Sequence, residues 1–201
     1  ALPIFFLARI LGSLYFINNI SDADLVKRCR RALWGNTGLF LIFFLSFVVR
    51  TLLAEGYAVN PENGEIFMEP YKYLTNFIEM PVVLVVFLIG VLAVLWGIIR
   101  TLWKPAFDKG IWFAGAGTVL TVLALLLVAG YNNTAYYPST ADLQSSLTLA
   151  NSCSSQFTLR VMAYVSILVP FVLAYIFYAW RSIDRKKIDA KEMQDEGGHA
   201  Y

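Results

Sequence analysis

The chain has 201 residues, 58% of them hydrophobic and only 15% charged, with a formal net charge of +2. A soluble domain of that balance would expose too much apolar surface, which leaves an integral membrane protein. No basic stripe is interleaved with exposed aromatics on a soluble face, so nucleic-acid binding is excluded as well.

Five apolar segments are long enough to cross a bilayer at ~1.5 Å per residue. They fall at about 2–18, 37–54, 80–103, 110–131 and 158–180, which predicts an all-α membrane protein with five transmembrane helices. The chain opens at Ala1 inside an apolar run, without an initiator Met or a signal peptide. That reads as a processed or split polypeptide, and the first segment is the shortest of the five.

The first loop carries Lys27, Arg28, Arg30 and Arg31. The loop over 55–79 is acidic, with Glu62, Glu65 and Glu69 against a single Lys72, and Asn60-Pro61-Glu62-Asn63-Gly64 inside it reads as a turn. Arg100, Lys104 and Lys109 surround the short link after the third segment. The loop over 132–156 has Asp142 and no Lys or Arg. Ser154 and Ser155 can cap the last segment, and Pro170 is expected to kink it. Trp180 and Arg181 close it, and a polar tail over 182–201 follows with Arg185, Lys186, Lys187 and Lys191.

Basic loops mark the cytoplasmic side, which predicts an N-terminus outside and a C-terminus in the cytoplasm. The aromatics agree. Trp34, Trp103, Trp112 and Trp180 gather near the basic side, and Tyr57, Tyr71, Tyr73, Tyr131, Tyr136 and Tyr137 near the other. On this topology Cys29 and Cys153 lie on opposite sides and do not pair. Small residues predict close helix contacts at Ala8 with Gly12, at Ala93 with Gly97, and along Ala114-Gly115-Ala116-Gly117 with Thr118 and Thr121. Asn132-Asn133-Thr134 matches a glycosylation acceptor, read here as accidental.

A haem held in a membrane needs axial ligands, usually His, sometimes Met or Cys. The only histidine is His199, in the polar tail; Met80 and Met162 lie near segment ends, and the cysteines lie in loops. The chain is therefore expected to bind no haem by itself. No phosphate-cradling loop, nucleophile elbow or metal-ligand cluster is present, so no catalytic or metal residue is assigned. Three intramembrane or border charges remain as candidates for a quinone, a lipid or an ion pair: Arg9, Arg50 and Glu79. A charge at mid-depth costs at least ~2.5 kcal/mol unless it finds a partner or water. Arg50 can snorkel outward or pair with Glu55 or Glu79. Arg9 is deeper, and a salt bridge or subunit contact is favoured over a ligand role. Glu79, with Asn76, is expected to open the third segment, where a helix N-terminus favours a carboxylate.

A set of short motifs near the C-terminus resembles one family. They are Pro138-Ser139-Thr140, Ser146-Leu147-Thr148, Ser154-Ser155-Gln156-Phe157-Thr158-Leu159, Val161-Met162 and Val169-Pro170, in that order. Their order and spacing resemble the C-terminal half of subunit II of cytochrome bd-type quinol oxidases, with weaker similarity through the upstream helices. The resemblance implies a subunit of a complex in the bacterial cytoplasmic membrane that oxidises quinol and reduces dioxygen to water. It implies that haem b and haem d sit on the partner, subunit I, and that this chain scaffolds it. It also implies a structural quinone in some members. Large subunits of the family have two four-helix bundles and one peripheral helix. Five helices here correspond to a four-helix bundle plus that peripheral helix, with the N-terminal half of the subunit as a missing partner. The family's proton-route carboxylates belong to that half, so none is carried over. The rival reading is a small transporter or channel component, with Arg9 and the Gly/Ala-rich fourth segment lining a solute path. An enzyme acting on lipid headgroups is disfavoured by the missing catalytic clusters.

Overall fold

The computed structural model describes residues 1–183. Of the polar tail over 182–201, Ser182 and Ile183 belong to the last helix. The remainder, with Arg185, Lys186, Lys187, Lys191 and His199, lies outside the described residues.

Among the described residues, five helices are long and apolar enough to cross a membrane. They are α1 (Leu2–Asn19), α2 (Ala23–Leu53), α4 (Pro81–Trp103), α5 (Gly110–Gly130) and α6 (Gln156–Ile183); a short helix, α3 (Lys72–Glu79), lies between α2 and α4. The main departure from expectation is α2. The basic stretch expected as a loop is helical, and only three residues separate α1 from α2. Asp22 caps the start by accepting a hydrogen bond from the Leu25 amide at 2.8 Å. Ala23 to Trp34 then holds good helix formers and no Gly or Pro, so the helix propagates without a break into the apolar span.

Helices α1 and α2 pack as one antiparallel hairpin and α4 and α5 as another, and the two meet through α1 against α5 and α2 against α4. Ile10, Leu14, Leu33, Phe40, Val94, Ile98 and Ala114 form the shared core. The second hairpin closes by backbone contact. A Cβ on Gly90 would lie 2.6 Å from Thr121 Oγ1 and 2.9 Å from the Gly117 carbonyl, and one on Gly97 would lie 2.7 Å from the Gly110 carbonyl. The flat face expected on α5 is therefore real but rotated. It runs through Gly110, Ala114, Gly117 and Thr121, while Gly115 faces open space. Gly97 joins that contact, and the Ala8–Gly12 surface does not, because Gly12 has nothing near it.

Helix α6 stands apart from this four-helix bundle. None of its residues is buried, and only Thr158 and Ala179 are even half-buried. Ser155 caps it, its Oγ accepting from the Thr158 amide at 3.4 Å. Pro170 lies within the helix without ending it.

The two connections expected as loops at the other end of the bundle are structured. Strands β1 (Gly56–Val59) and β2 (Ile66–Glu69) pair antiparallel, with Val59 opposite Ile66 and Gly56 opposite Glu69. The expected turn closes them: Asn60 Oδ1 accepts from the Glu62 amide at 3.0 Å, and Gly64 takes φ 73°, which glycine adopts without strain. A two-stranded hairpin is marginal alone. Here both edges are covered by the segment after α5. Val59 N–H donates to the Asn133 carbonyl at 2.8 Å and Ala135 N–H to the Tyr57 carbonyl at 2.9 Å. The Gln144 amide makes two bonds to the Ile66 backbone, at 2.9 and 2.8 Å.

Candidate functional site

The bundle is tight at its basic end and open at its hairpin end. Core residues Leu14, Leu33 and Ile98 are fully buried. Beyond them, towards the β-hairpin, a cavity of about 1030 Å³ lies between the two helical hairpins. Its walls are almost wholly apolar, built from residues such as Leu7, Phe44, Val94 and Leu125. Its polar lining is sparse, and most of it is already engaged. Ser46, Thr51, Thr118 and Thr121 each donate to the carbonyl four residues back, at 2.7 to 2.9 Å. Two donors in the lining make no side-chain hydrogen bond: the Arg50 guanidinium, at the hairpin end of α2, and the Tyr73 phenol on α3. Burial raises the Tyr73 phenol above its ordinary range, and neighbouring Tyr57 raises it further, so it remains protonated at neutral pH and able to donate.

The three charged candidates from the sequence do not come together. Arg50 makes no ion pair with Glu55 or Glu79; it is exposed and lines the cavity. Arg9 is exposed on the outward side of α1, with its guanidinium 5.7 Å from the centroid of the Phe5 ring. That ring lies one turn nearer the hairpin end, so the side chain leans that way. Arg9 has no carboxylate partner among the described residues. Glu79 is the last residue of α3 rather than the first of α4, and Met80 caps α4 instead. The side-chain amide of Asn132 donates to its carboxylate.

Asn132 and Glu79 belong to a polar cluster that ties the end of α5 to α3. Asn76 is fully buried. It donates to the Val128 carbonyl at 2.8 Å and to Thr134 Oγ1 at 2.9 Å, and accepts from Asn132 at 3.0 Å. Asn132 and Asn133 hold φ of 58° and 52°, a left-handed geometry that Asn tolerates better than most residues. Asn132 and Thr134 are thus engaged in contacts that hold the fold together. A second tie sits at the basic end. Arg30 donates to the carbonyls of Thr101 and Pro105, the latter at 2.8 Å, and to that of Phe107 at 3.4 Å. It satisfies the C-terminus of α4, where the helix dipole also favours a cation. Arg100 lies over Trp96 and Phe107, with ring centroids at 5.3 and 5.2 Å.

Sequence reasoning gave Arg30 only a charge and Tyr73 only a depth. The signal for Arg30 was the run of helix formers after Asp22, which carries it onto the helical face beside the α4–α5 link. No group of three or more His, Cys, Asp or Glu converges among the described residues. Of the two methionines singled out in the sequence, Met162 is exposed on α6 and Met80 caps α4.

Fold and site together define a polytopic α-helical membrane protein with an apolar cavity in one half of its bundle. The family model for cytochrome bd terminal oxidase subunit II matches residues 1–183, and the chain belongs to that family. It is 32% identical over 181 residues to subunit 2 of the cytochrome bd-I ubiquinol oxidase of Escherichia coli K12. The same similarity holds for that subunit in E. coli O6:H1 and O157:H7. Each alignment covers 88% of this chain and 46% of the relative, so the chain spans about half the length of the curated relatives it matches.

Proposed function

We propose that this chain is a haem-free scaffold in a cytochrome bd-type quinol:dioxygen oxidoreductase, forming the C-terminal half of subunit II. The match to subunit II over residues 1–183 carries the proposal. It is supported by the sequence position of the chain's single histidine, His199, which follows the five membrane-spanning helices found among the described residues. In this reading haem b and haem d belong to subunit I, which also oxidises the quinol. The chain braces that subunit together with the N-terminal half of subunit II, and it has no catalytic residue of its own. The relatives are named for ubiquinol, which makes ubiquinol the first substrate to test for the complex.

Position in the membrane follows from charge. The basic start of α2 and the link between α4 and α5 face the cytoplasm, and the β-hairpin end faces outward, in a bacterial cytoplasmic membrane. Of the three charged candidates, Arg50 lines the cavity between the two helical hairpins. Arg9 and Glu79 serve as surface and folding charges. The transporter reading has less support, since the cavity ends at the core around Phe40 and Val94 and does not continue to the basic end.

Purification in mild detergent tests the assignment. The chain is expected to carry a haem-bearing membrane partner with it, and quinol-dependent oxygen uptake should follow that complex. Clean isolation without a pigmented partner would refute it, as would a reduced-minus-oxidised haem spectrum on the solitary chain. Labelling of Cys153 from outside, and of Cys29 only after permeabilisation, tests the orientation.

A further inference from the structure

The cavity between the two helical hairpins has a polarity gradient that specifies an occupant. Its walls are apolar from Phe40 and Val94 up to Phe47, apart from the hydroxyls of Ser46, Thr118 and Thr121 that bond back to their own helices, and its two side-chain donors without a partner, Arg50 and Tyr73, both lie towards the hairpin end. A ligand that fills it must be apolar over most of its length and must present acceptors at one end. From Phe40 to Arg50 the α2 wall rises ten residues, about 15 Å at ~1.5 Å per residue. That is half of the ~30 Å hydrocarbon thickness of a bilayer, the depth of a single leaflet.

We propose that this cavity binds one phospholipid of the hairpin-end leaflet, with its phosphate held by Arg50 and Tyr73 and its acyl chains between α2 and α5. Two observations favour a phospholipid over a long-chain quinone. The lining contains no carboxylate, so the Arg50 cation lacks an internal counter-charge, and a phosphate supplies one where a neutral carbonyl does not. The slot is also one leaflet deep, which suits an acyl chain and is too short for a long polyisoprenoid tail. The absence of any lining carboxylate or histidine removes the proton acceptor that quinol oxidation needs, so the site is structural. Lodged there, the lipid fills the gap between two hairpins that otherwise meet only nearer the basic end. The proposal requires only that the chain sit in a bilayer, and it stands or falls separately from the oxidase assignment.

The test uses the chain in the assembly with which it purifies, in nanodiscs of phosphatidylglycerol with a trace of phosphatidylglycerol carrying a mid-chain diazirine. Irradiation should label peptides covering 40–54 and 118–129, and unlabelled phosphatidylglycerol should compete. Arg50→Lys should retain the label. Arg50→Gln should lower it about tenfold, as expected for one charge-assisted hydrogen bond, and Tyr73→Phe should lower it less. Leu125→Trp fills the wall without touching Arg50 and should exclude the probe on its own, so a folding defect in Arg50→Gln does not decide the matter. Wild-type labelling in both Arg50→Gln and Leu125→Trp overturns the proposal. So does displacement of the probe by a ubiquinone analogue but not by phosphatidylglycerol, or transfer of the label to a partner polypeptide seated in the cavity.

Discussion

Helices α5 and α6 are both apolar and long enough to span a bilayer, yet one is locked into the bundle and the other touches almost nothing. In α5, Gly110, Ala114, Gly117, Thr121, Ala124 and Val128 are buried. In α6 no residue is, and Phe157, Tyr164, Phe171 and Tyr178 are each at least 70% exposed. Apolarity does not separate the two. Within a membrane, lipid tails are as apolar as leucine, so helices adhere where their surfaces allow backbones to approach. Small residues at i, i+3 and i+4 give α5 that surface, and the bulky aromatic and aliphatic side chains of α6 deny it one within this chain. Hydropathy puts a helix in the bilayer; side-chain size decides what it touches there.

The largest effect should come from removing that small surface. In Gly117→Leu the new Cβ would meet the Gly90 carbonyl at 2.5 Å and the Val94 amide nitrogen at 2.7 Å, and backbone cannot swing aside. Overpacking of this kind costs about 3 kcal/mol or more, read as a lower unfolding midpoint in mixed micelles. Gly115→Leu is the control, because nothing lies within 4 Å of that position; its effect should stay within about 0.5 kcal/mol. Equal damage from the two would mean that the α4–α5 face is wrongly placed.

Next in size is Arg30, which closes the basic end of the same hairpin. Arg30→Met leaves three carbonyls without their donor and should cost about 2 kcal/mol. Arg30→Lys should recover only part of that, since a point charge does not reproduce a planar fork. Asn76→Leu should cost about 1–2 kcal/mol, because it strands the Val128 carbonyl and Thr134 at the opposite end of α5. Protection of the α5 C-terminus in hydrogen exchange would report it before the global unfolding midpoint does.

These sites show what the sequence made legible. The spans were readable because twenty apolar residues have no other place to go, and α4 and α5 sit within a residue of their expected limits. The family was readable from motifs around 138–170. The basic end of α2 was misjudged because charge density was read as a loop, whereas Asp22 and the residues after it favour helix. The cavity was not readable at all. It lies between two helical hairpins, and no local pattern near Arg50 encodes how they pack against each other. Glu79 was misplaced for a related reason: a short amphipathic helix, α3, ends just where the next begins, and hydropathy alone merges the two.

A smaller effect concerns pH. Burial holds the Tyr73 proton more tightly in the folded chain than in the unfolded one, where a phenol titrates near ~10. A raised folded value means that the stabilisation is complete below the ordinary phenol range and is lost as pH rises through the folded value. The hairpin end should therefore loosen in alkali, with one phenolate absorbing later than the rest. Tyr73→Phe should remove that late step and leave the other tyrosines unmoved.

The smallest expected effect lies on α6. Tyr164→Ala, Phe171→Ala and Tyr178→Ala remove large rings that contact nothing buried, so each should shift the chain's own unfolding by less than about 0.5 kcal/mol. Losses of 2 kcal/mol or more, the usual cost of deleting a core aromatic, would show that α6 packs back onto the bundle and would erase the contrast with α5. If α6 instead meets a neighbouring subunit, the same variants should weaken retention of the haem-bearing partner during detergent exchange while the chain's own melting stays put. One face of the helix should then be sensitive and the opposite face silent. Uniform insensitivity of both measurements would mean that the face carrying Tyr164, Phe171 and Tyr178, which lie seven residues apart along one side of α6, meets lipid rather than a subunit.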